Sequence, residues 1–168
     1  MKKTLLTLIL TGLACISGFA QEADSVQTQQ PVTIEILTAK LDKLQHDYDY
    51  LWCEFKLRGL IADLNIASNA IQISANQLYA YSREGGYNSA LYKSYSDYLD
   101  SYRINFKSSK NLANVVKNTV FLKIAKCGFT DSEKDALYAS FESVSKGLST
   151  VEAAINYHEV ALKVYRGW

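Results

Sequence analysis

The sequence predicts an all-α protein: an antiparallel, up-down-up three-helix bundle with a long first helix and coiled-coil-like packing. Three observations carry that reading. Proline occurs once, at Pro31, and is absent from the 137 residues that follow, whereas a sandwich or barrel needs frequent turns. Apolar residues recur at steps of three and four over three long stretches, the spacing of one helix face. Between those stretches stand two glycine-bearing corners, "REGGYNS" and "KCGFTDSE", whose residues suit the end of one helix and the start of the next.

The chain opens "MKKTLLTLILTGLACISGFAQEADS". Lys2 and Lys3 make a basic start, Leu5 to Leu10 an apolar run, and Gly18 and Ala20 set small residues before Gln21. This layout predicts a secretory signal peptide, residues 1–20, cleaved after Ala20. The alternative is a lipoprotein signal acylated at Cys15, but Gly12 stands where a larger aliphatic residue belongs. Residues 21–31 are polar and aperiodic and read as a flexible linker. Residues 32–168 then form the bundle domain, a size that one core serves. Export places the mature chain in the periplasm or outside the cell.

Loss of the leader removes two lysines and no acid, leaving 16 basic and 17 acidic residues. That near-balance lacks the concentrated basic patch that nucleic acid or an anionic membrane requires. No stretch beyond the leader approaches the roughly 18 apolar residues of a membrane span.

The first helix is expected from about Val32, behind Pro31, to Arg83. Its stripe begins Leu37, Leu41, Leu44, Tyr48, Leu51, Phe55. A second register takes over: Cys53, Leu57, Leu60, Leu64, Ala67, Ile71, Ser74, Leu78, Tyr81. The two overlap just before Gly59, where a bend or a change of partner face is expected. Gly85 and Gly86 offer the positive φ of a helix end and turn, and Asn88 or Ser89 the next N-cap. The second helix, from about Ser89 to Lys126, carries Tyr92, Tyr95, Leu99, Tyr102, Phe106, Ser109, Ala113, Val116, Val120, Ile124 and Cys127.

The third helix has the cleanest pattern: Leu137, Phe141, Val144, Leu148, Val151, Ile155, His158, Leu162, Tyr165, held over about four heptads. It stops at Gly167, with Trp168 as the hydrophobic partner of that cap. In the corner before it, Gly128 suits a left-handed C-cap with Phe129 as its contact. Thr130 and Glu133 make a capping box, with Asp131 adding charge to the first turn. Cys127 therefore stands in structural punctuation.

Lengths constrain the two cysteines that survive export, Cys53 and Cys127. Helices of about 38 and 36 residues reach roughly 55 Å, and the first, at about 52, roughly 78 Å, so residues 32–43 overhang the body or fold back on it. Counted from the Gly85–Gly86 corner, Cys53 and Cys127 are offset by about 12 Å, beyond disulfide reach. They are expected to stay unpaired unless a kink at Gly59 or a longer corner closes the gap.

Candidate chemistry is sparse. His46, Asp49 and Cys53 share a helix face, but zinc would need a further ligand from another helix, and no metal or cofactor is expected. His158 on an apolar stripe is a candidate general base, but Glu159 points to another face, and a hydrogen bond to a neighbouring helix accounts for it. No G-x-S-x-G, P-loop, HExxH or CxxC occurs, so an enzyme is not expected. Seven of the twelve tyrosines fall between Tyr79 and Tyr102. Tyr95 and Tyr102 belong to the stripe. Tyr81, Tyr87 and Tyr98 should lie at its edge or on the corner, and they form the candidate contact surface.

The leader, the polar tether, the helical body and the "TD-x-E" opening in "FTDSEKDALYASF" resemble small exported helical proteins of Bacteroidota. Some of these are encoded in conjugative elements. The resemblance implies a periplasmic part of a type IV secretion apparatus and carries no functional residue across. The expectation is an exported, non-enzymatic interaction or assembly component of the cell envelope, with a protein partner or a homo-oligomer. The alternative is a periplasmic binding or inhibitor module for a small ligand or an enzyme.

The leader generates a direct prediction. Mass spectrometry of the envelope fraction should find a chain beginning at Gln21; an intact Met1 or a diacylated Cys15 would contradict it.

Overall fold

The computed structural model describes residues 33–167. The expected signal peptide (1–20) and linker (21–31), with Cys15 and Pro31, and the expected cap contact at Trp168 lie outside the described residues. Three helices follow one another: α1, Ile34–Glu84; α2, Ser89–Lys126; and α3, Asp131–Arg166. They form an all-α three-helix bundle with no strand among the described residues. None of the helices is long and apolar enough to cross a membrane.

Side-chain contacts fix the direction and register of the three helices. Between α1 and α2, Tyr95 Oη donates to Gln77 Oε1 at 3.0 Å, and Lys123 Nζ donates to Asp49 Oδ1. Asp49 lies 28 residues before Gln77, and Lys123 lies 28 residues after Tyr95. The pair is antiparallel and does not slip over that distance. Between α2 and α3, Arg103 reaches Glu159 and, seven residues on, Lys110 reaches Glu152, seven residues back. Helices α1 and α3 are parallel, with His46 beside Glu133 and Ser74 beside His158.

The core is what the stripes supply. Helix α3 buries Leu137, Phe141, Val144, Val151, Ile155, His158, Leu162 and Tyr165. Helix α2 buries Tyr95, Leu99, Ala113, Val116 and Val120. Helix α1 buries Cys53, Leu57, Leu60, Leu64, Ile71, Ser74 and Leu78, its second register. At about 1.5–3 kcal/mol for each fully buried large aliphatic side chain, this shared seam is the main stabilising term. Leu64 and Gly147 meet at its middle. A Cβ on Gly147 would stand 3.1 Å from Leu64 Cδ1 and 3.2 Å from its Cβ, so glycine permits the close approach of α1 to α3.

The corners follow local chemistry. Gly128 has φ +63°, the left-handed conformation that a Cβ disfavours, and Phe129 behind it is buried. Thr130 Oγ1 accepts from the Glu133 amide while the Glu133 side chain accepts from the Thr130 amide, a complete capping box. Helix α3 ends at Gly167, φ +76°.

Two expectations are corrected. Gly85 and Gly86 do not take a positive φ. Four residues, 85–88, link α1 to α2, enough to reverse the chain without a left-handed cap. Asn88 Oδ1 caps the Leu91 amide, and the Asn88 amide donates to Tyr165 Oη. Most of the first register of α1 is also not packed: Leu37 and Leu41 are half-buried, but Leu44, Tyr48, Leu51 and Phe55 are exposed. The bundle faces instead the row His46, Asp49, Tyr50 and Cys53. Helix α1 runs unbroken through Gly59, so the second register's face simply continues toward the N-terminus. Residues 38–44 remain helical and do not fold back, and Asp49 is the first buried residue of α1.

Two glycines test this packing. Gly147→Ala gains about 1 kcal/mol of helix propensity, but Leu64 cannot move its own Cβ without moving backbone, so a net loss of about 1 kcal/mol or more is expected. Gly128→Ala should lose about 1 kcal/mol through left-handed strain. Urea denaturation of each variant measures both. A stabilised Gly147→Ala would mean that α1 and α3 separate freely.

Candidate functional site

The α1–α2 corner gathers the tyrosines. Tyr81, Tyr87 and Tyr98 are 43%, 53% and 51% exposed, and each rests on a more buried ring. Tyr81 and Tyr98 flank buried Tyr95, with centroids at 6.4 and 5.7 Å, both edge to face. Tyr87 lies 5.9 Å from Tyr92 and 6.0 Å from buried Tyr165. The supporting rings are themselves pinned: Tyr95 Oη to Gln77, and Tyr165 Oη to the Asn88 amide. Such pairs add about 0.5–1.5 kcal/mol beyond area burial. The outer rings therefore present aromatic area on a rigid footing.

Beneath them lies His158, fully buried, between Tyr95 at 6.1 Å and Tyr102 at 5.8 Å. Its Nε2 and Ser74 Oγ share a hydrogen bond of 2.9 Å. Burial holds the imidazole below its ordinary range, favouring the neutral ring. A serine beside a neutral histidine has the composition of a nucleophile and its base, but no solvent reaches the ring, and no acid partners Nδ1. The pair ties α1 to α3.

At the opposite end a polar corner joins all three helices, a constellation that sequence reasoning missed. Asp49, 8% exposed, accepts from Gln45, Lys123 and the Cys127 thiol. Burial opposes the charge on Asp49, yet these donors outweigh it and lower its pKa. His46 Nε2 donates to Glu133 Oε1 at 3.1 Å, and its Nδ1 faces the Cys127 carbonyl at 3.3 Å. Both ring nitrogens thus face acceptors, an arrangement that only the doubly protonated ring satisfies. The pKa of His46 is accordingly raised, chiefly by the Glu133 hydrogen bond, and that of Glu133 lowered, chiefly by the Thr130 amide.

His46, Asp49 and Cys53 therefore do not converge on one point: His46 turns to Glu133, Asp49 to Lys123, and Cys53 into the core. No group of three His, Cys, Asp or Glu side chains among the described residues could hold a metal ion. Cys53 and Cys127 are both free thiols. In the α1–α2 register Cys127 stands level with Gln45, eight residues from Cys53, or about 12 Å. Burial pushes Cys53 up to about 11, and burial followed by the Asp49 hydrogen bond raises Cys127. Neither is an activated thiolate.

The signal that would have found the polar corner is a mismatch. Asp49 and Lys123 each occupy a bundle-facing position among apolar neighbours, and each is the other's explanation. They are 74 residues apart, so no local spacing connects them.

No family model matches the chain, and no curated protein and no solved structure matches it. The fold and its two ends therefore carry the functional argument.

The His46 clamp has a pH signature of fixed sign. A raised histidine pKa contributes stability that is present below the unfolded value, about 6.5, and lost as pH rises through the folded value. Glu133, lowered, contributes above its unfolded value, about 4.3. The clamp is thus fullest between those limits. His158, lowered by burial, acts oppositely below pH about 6.5, so the comparison must be a difference. The melting temperature of the parent chain minus that of His46→Gln should be larger at pH 6 than at pH 8. An equal difference at both would mean that folding leaves the pKa of His46 where it is in the unfolded chain, and a smaller difference at pH 6 that the fold holds the ring neutral.

Proposed function

We propose that the protein is exported and works without chemistry of its own, as an interaction or assembly component of the cell envelope. It binds a protein partner through the tyrosine end of the bundle. The observation that carries this reading is the footing of Tyr81, Tyr87 and Tyr98. Half-exposed rings fixed on buried rings supply contact area whose ordering cost folding has already met. Tyrosine is among the residues enriched at interface cores. The sealed Ser74–His158 pair and the fully partnered Asp49 support a role that needs no reactive group. The resemblance to exported helical proteins of conjugative elements supports a type IV secretion apparatus as the setting of that role.

A second reading, a binding module for a small apolar ligand, is favoured by one feature. Between α1 and α2 lies an open groove of about 400 Å³ lined by Trp52, Phe55, Leu60, Leu112 and Val115. It gathers only Lys56 and Asp63 as charged groups, few for fixing an orientation.

A photoreactive side chain at Tyr87 or Tyr98, introduced in living cells, tests the first reading. It is expected to give one discrete envelope adduct that is absent when the probe replaces Asp131, whose side chain is 97% exposed at the other end. Equal labelling from both ends would contradict a specific tyrosine surface.

A further inference from the structure

Helix α1 is apolar on two faces: the core covers one, and the other is bare, bordered at Phe55 by the α1–α2 groove. On the other, Leu44, Tyr48, Leu51 and Phe55 are 65%, 62%, 59% and 72% exposed, and further along Ile66 and Ile73 are 68% and 59% exposed. With Ala62 and Asn69 they continue the four-and-three spacing of a coiled-coil seam. Together the six residues bare on the order of 700 Å², close to the roughly 800 Å² each partner contributes to a standard interface.

Halfway along the seam, on the flank that borders the α1–α2 groove, stands Gly59. A glycine inside a helix costs about 1 kcal/mol relative to alanine. Nothing within the chain asks for it: a Cβ there meets no atom within 4 Å. Gly147, by contrast, is explained by Leu64 in the same molecule. A glycine beside an apolar seam leaves room there for a neighbouring helix.

We propose that this face binds a second copy of the chain, with the two α1 helices antiparallel about a two-fold axis crossing at Arg58–Gly59. A two-fold contact requires a self-complementary patch, and the seam is one. Leu44 falls opposite Ile73 of the second copy, Leu51 opposite Ile66, and Phe55 opposite Ala62, so each large ring meets a small residue. Tyr48 falls opposite Asn69, a hydroxyl against an amide. On the rim, Lys56 comes within two residues, about 3 Å along the axis, of the level of Asp63 of the second copy, twice. A parallel, in-register pair would set Phe55 on Phe55 and leave Ala62 on Ala62. The contact lies away from Tyr81, Tyr87 and Tyr98, so it does not rest on the function proposed above, and either can fail without the other.

Sedimentation velocity on the purified full chain, from about 1 to 100 µM, tests the proposal. A concentration-dependent dimer is expected. Gly59→Leu should leave the isolated bundle at least as stable, because the site is open, while weakening the dimer at least about tenfold. Ile66→Glu should weaken it similarly, since it buries an unpaired charge. Lys56→Glu should weaken it by setting acid against acid, and adding Asp63→Lys should restore it to within about threefold. A monomer at every concentration would overturn the proposal and leave the face to a different protein. A dimer indifferent to Gly59→Leu and Ile66→Glu would overturn it too, by placing the contact elsewhere. Failure of the charge swap to restore the dimer would overturn the antiparallel register.

Discussion

The contact of Leu64 with Gly147 governs the distance between α1 and α3, and much else follows from it. Two helices can approach to glycine distance only where neither offers a side chain to hold them apart. Once they do, the residues above and below must interlock at that spacing. Toward one end Ser74 comes within hydrogen-bond reach of His158. Toward the other His46 comes within reach of Glu133. A larger residue at 147 would push apart both pairs, although neither touches it. The side chains on the facing stripes are tightly constrained because a packed core resists a change of even one methylene.

Within that geometry the polar groups act as register marks. A three-helix bundle of leucine-like stripes packs almost as well when one helix slides by a heptad. Such a slide would strand Asp49 without Lys123 and His158 without Ser74, each buried and unsatisfied, at about 1–3 kcal/mol or more apiece. Asp49, Lys123, His46 and Glu133 mark one end of the molecule and Ser74 with His158 the other. The offset of Cys53 from Cys127 is a by-product of the same register: two cysteines on packed stripes are kept apart by a hairpin that does not slip.

The parts legible in the sequence were those decided by neighbours in sequence. The stripes of α2 and α3 are read from one face at a time, and Gly128, Thr130 and Glu133 act within a single corner. Two features escaped for physical reasons. The Asp49–Lys123 and His46–Glu133 pairs join residues 74 and 87 apart, and no periodicity encodes a contact across helices. The two apolar registers of α1 read as a handover at Gly59, because periodicity gives the faces of a helix without saying which one is covered. The tyrosine-rich corner was legible as composition. Its rigidity was not, since that rests on Tyr165 and His158 from the far end of the chain.

The unequal lengths of the helices bear on what the molecule is for. Helices α2 and α3 cover one face of α1 over most of its length, and a single amphipathic stripe would have sufficed for that. Leucine, tyrosine, phenylalanine and isoleucine on the bare face add nothing to this core, and they carry a solubility cost that polar residues would avoid. Gly59 adds a helix-propensity cost with no return inside the chain. Features that weaken or burden the isolated bundle, and that lie along one side of α1, are what the proposed contact with a second copy would account for. A bundle with a rigid aromatic end and a long bare seam has two surfaces whose composition the fold alone does not require. Two such surfaces on separate faces allow a chain to pair with its own copy and still hold a third protein, which is the geometry an assembly component needs.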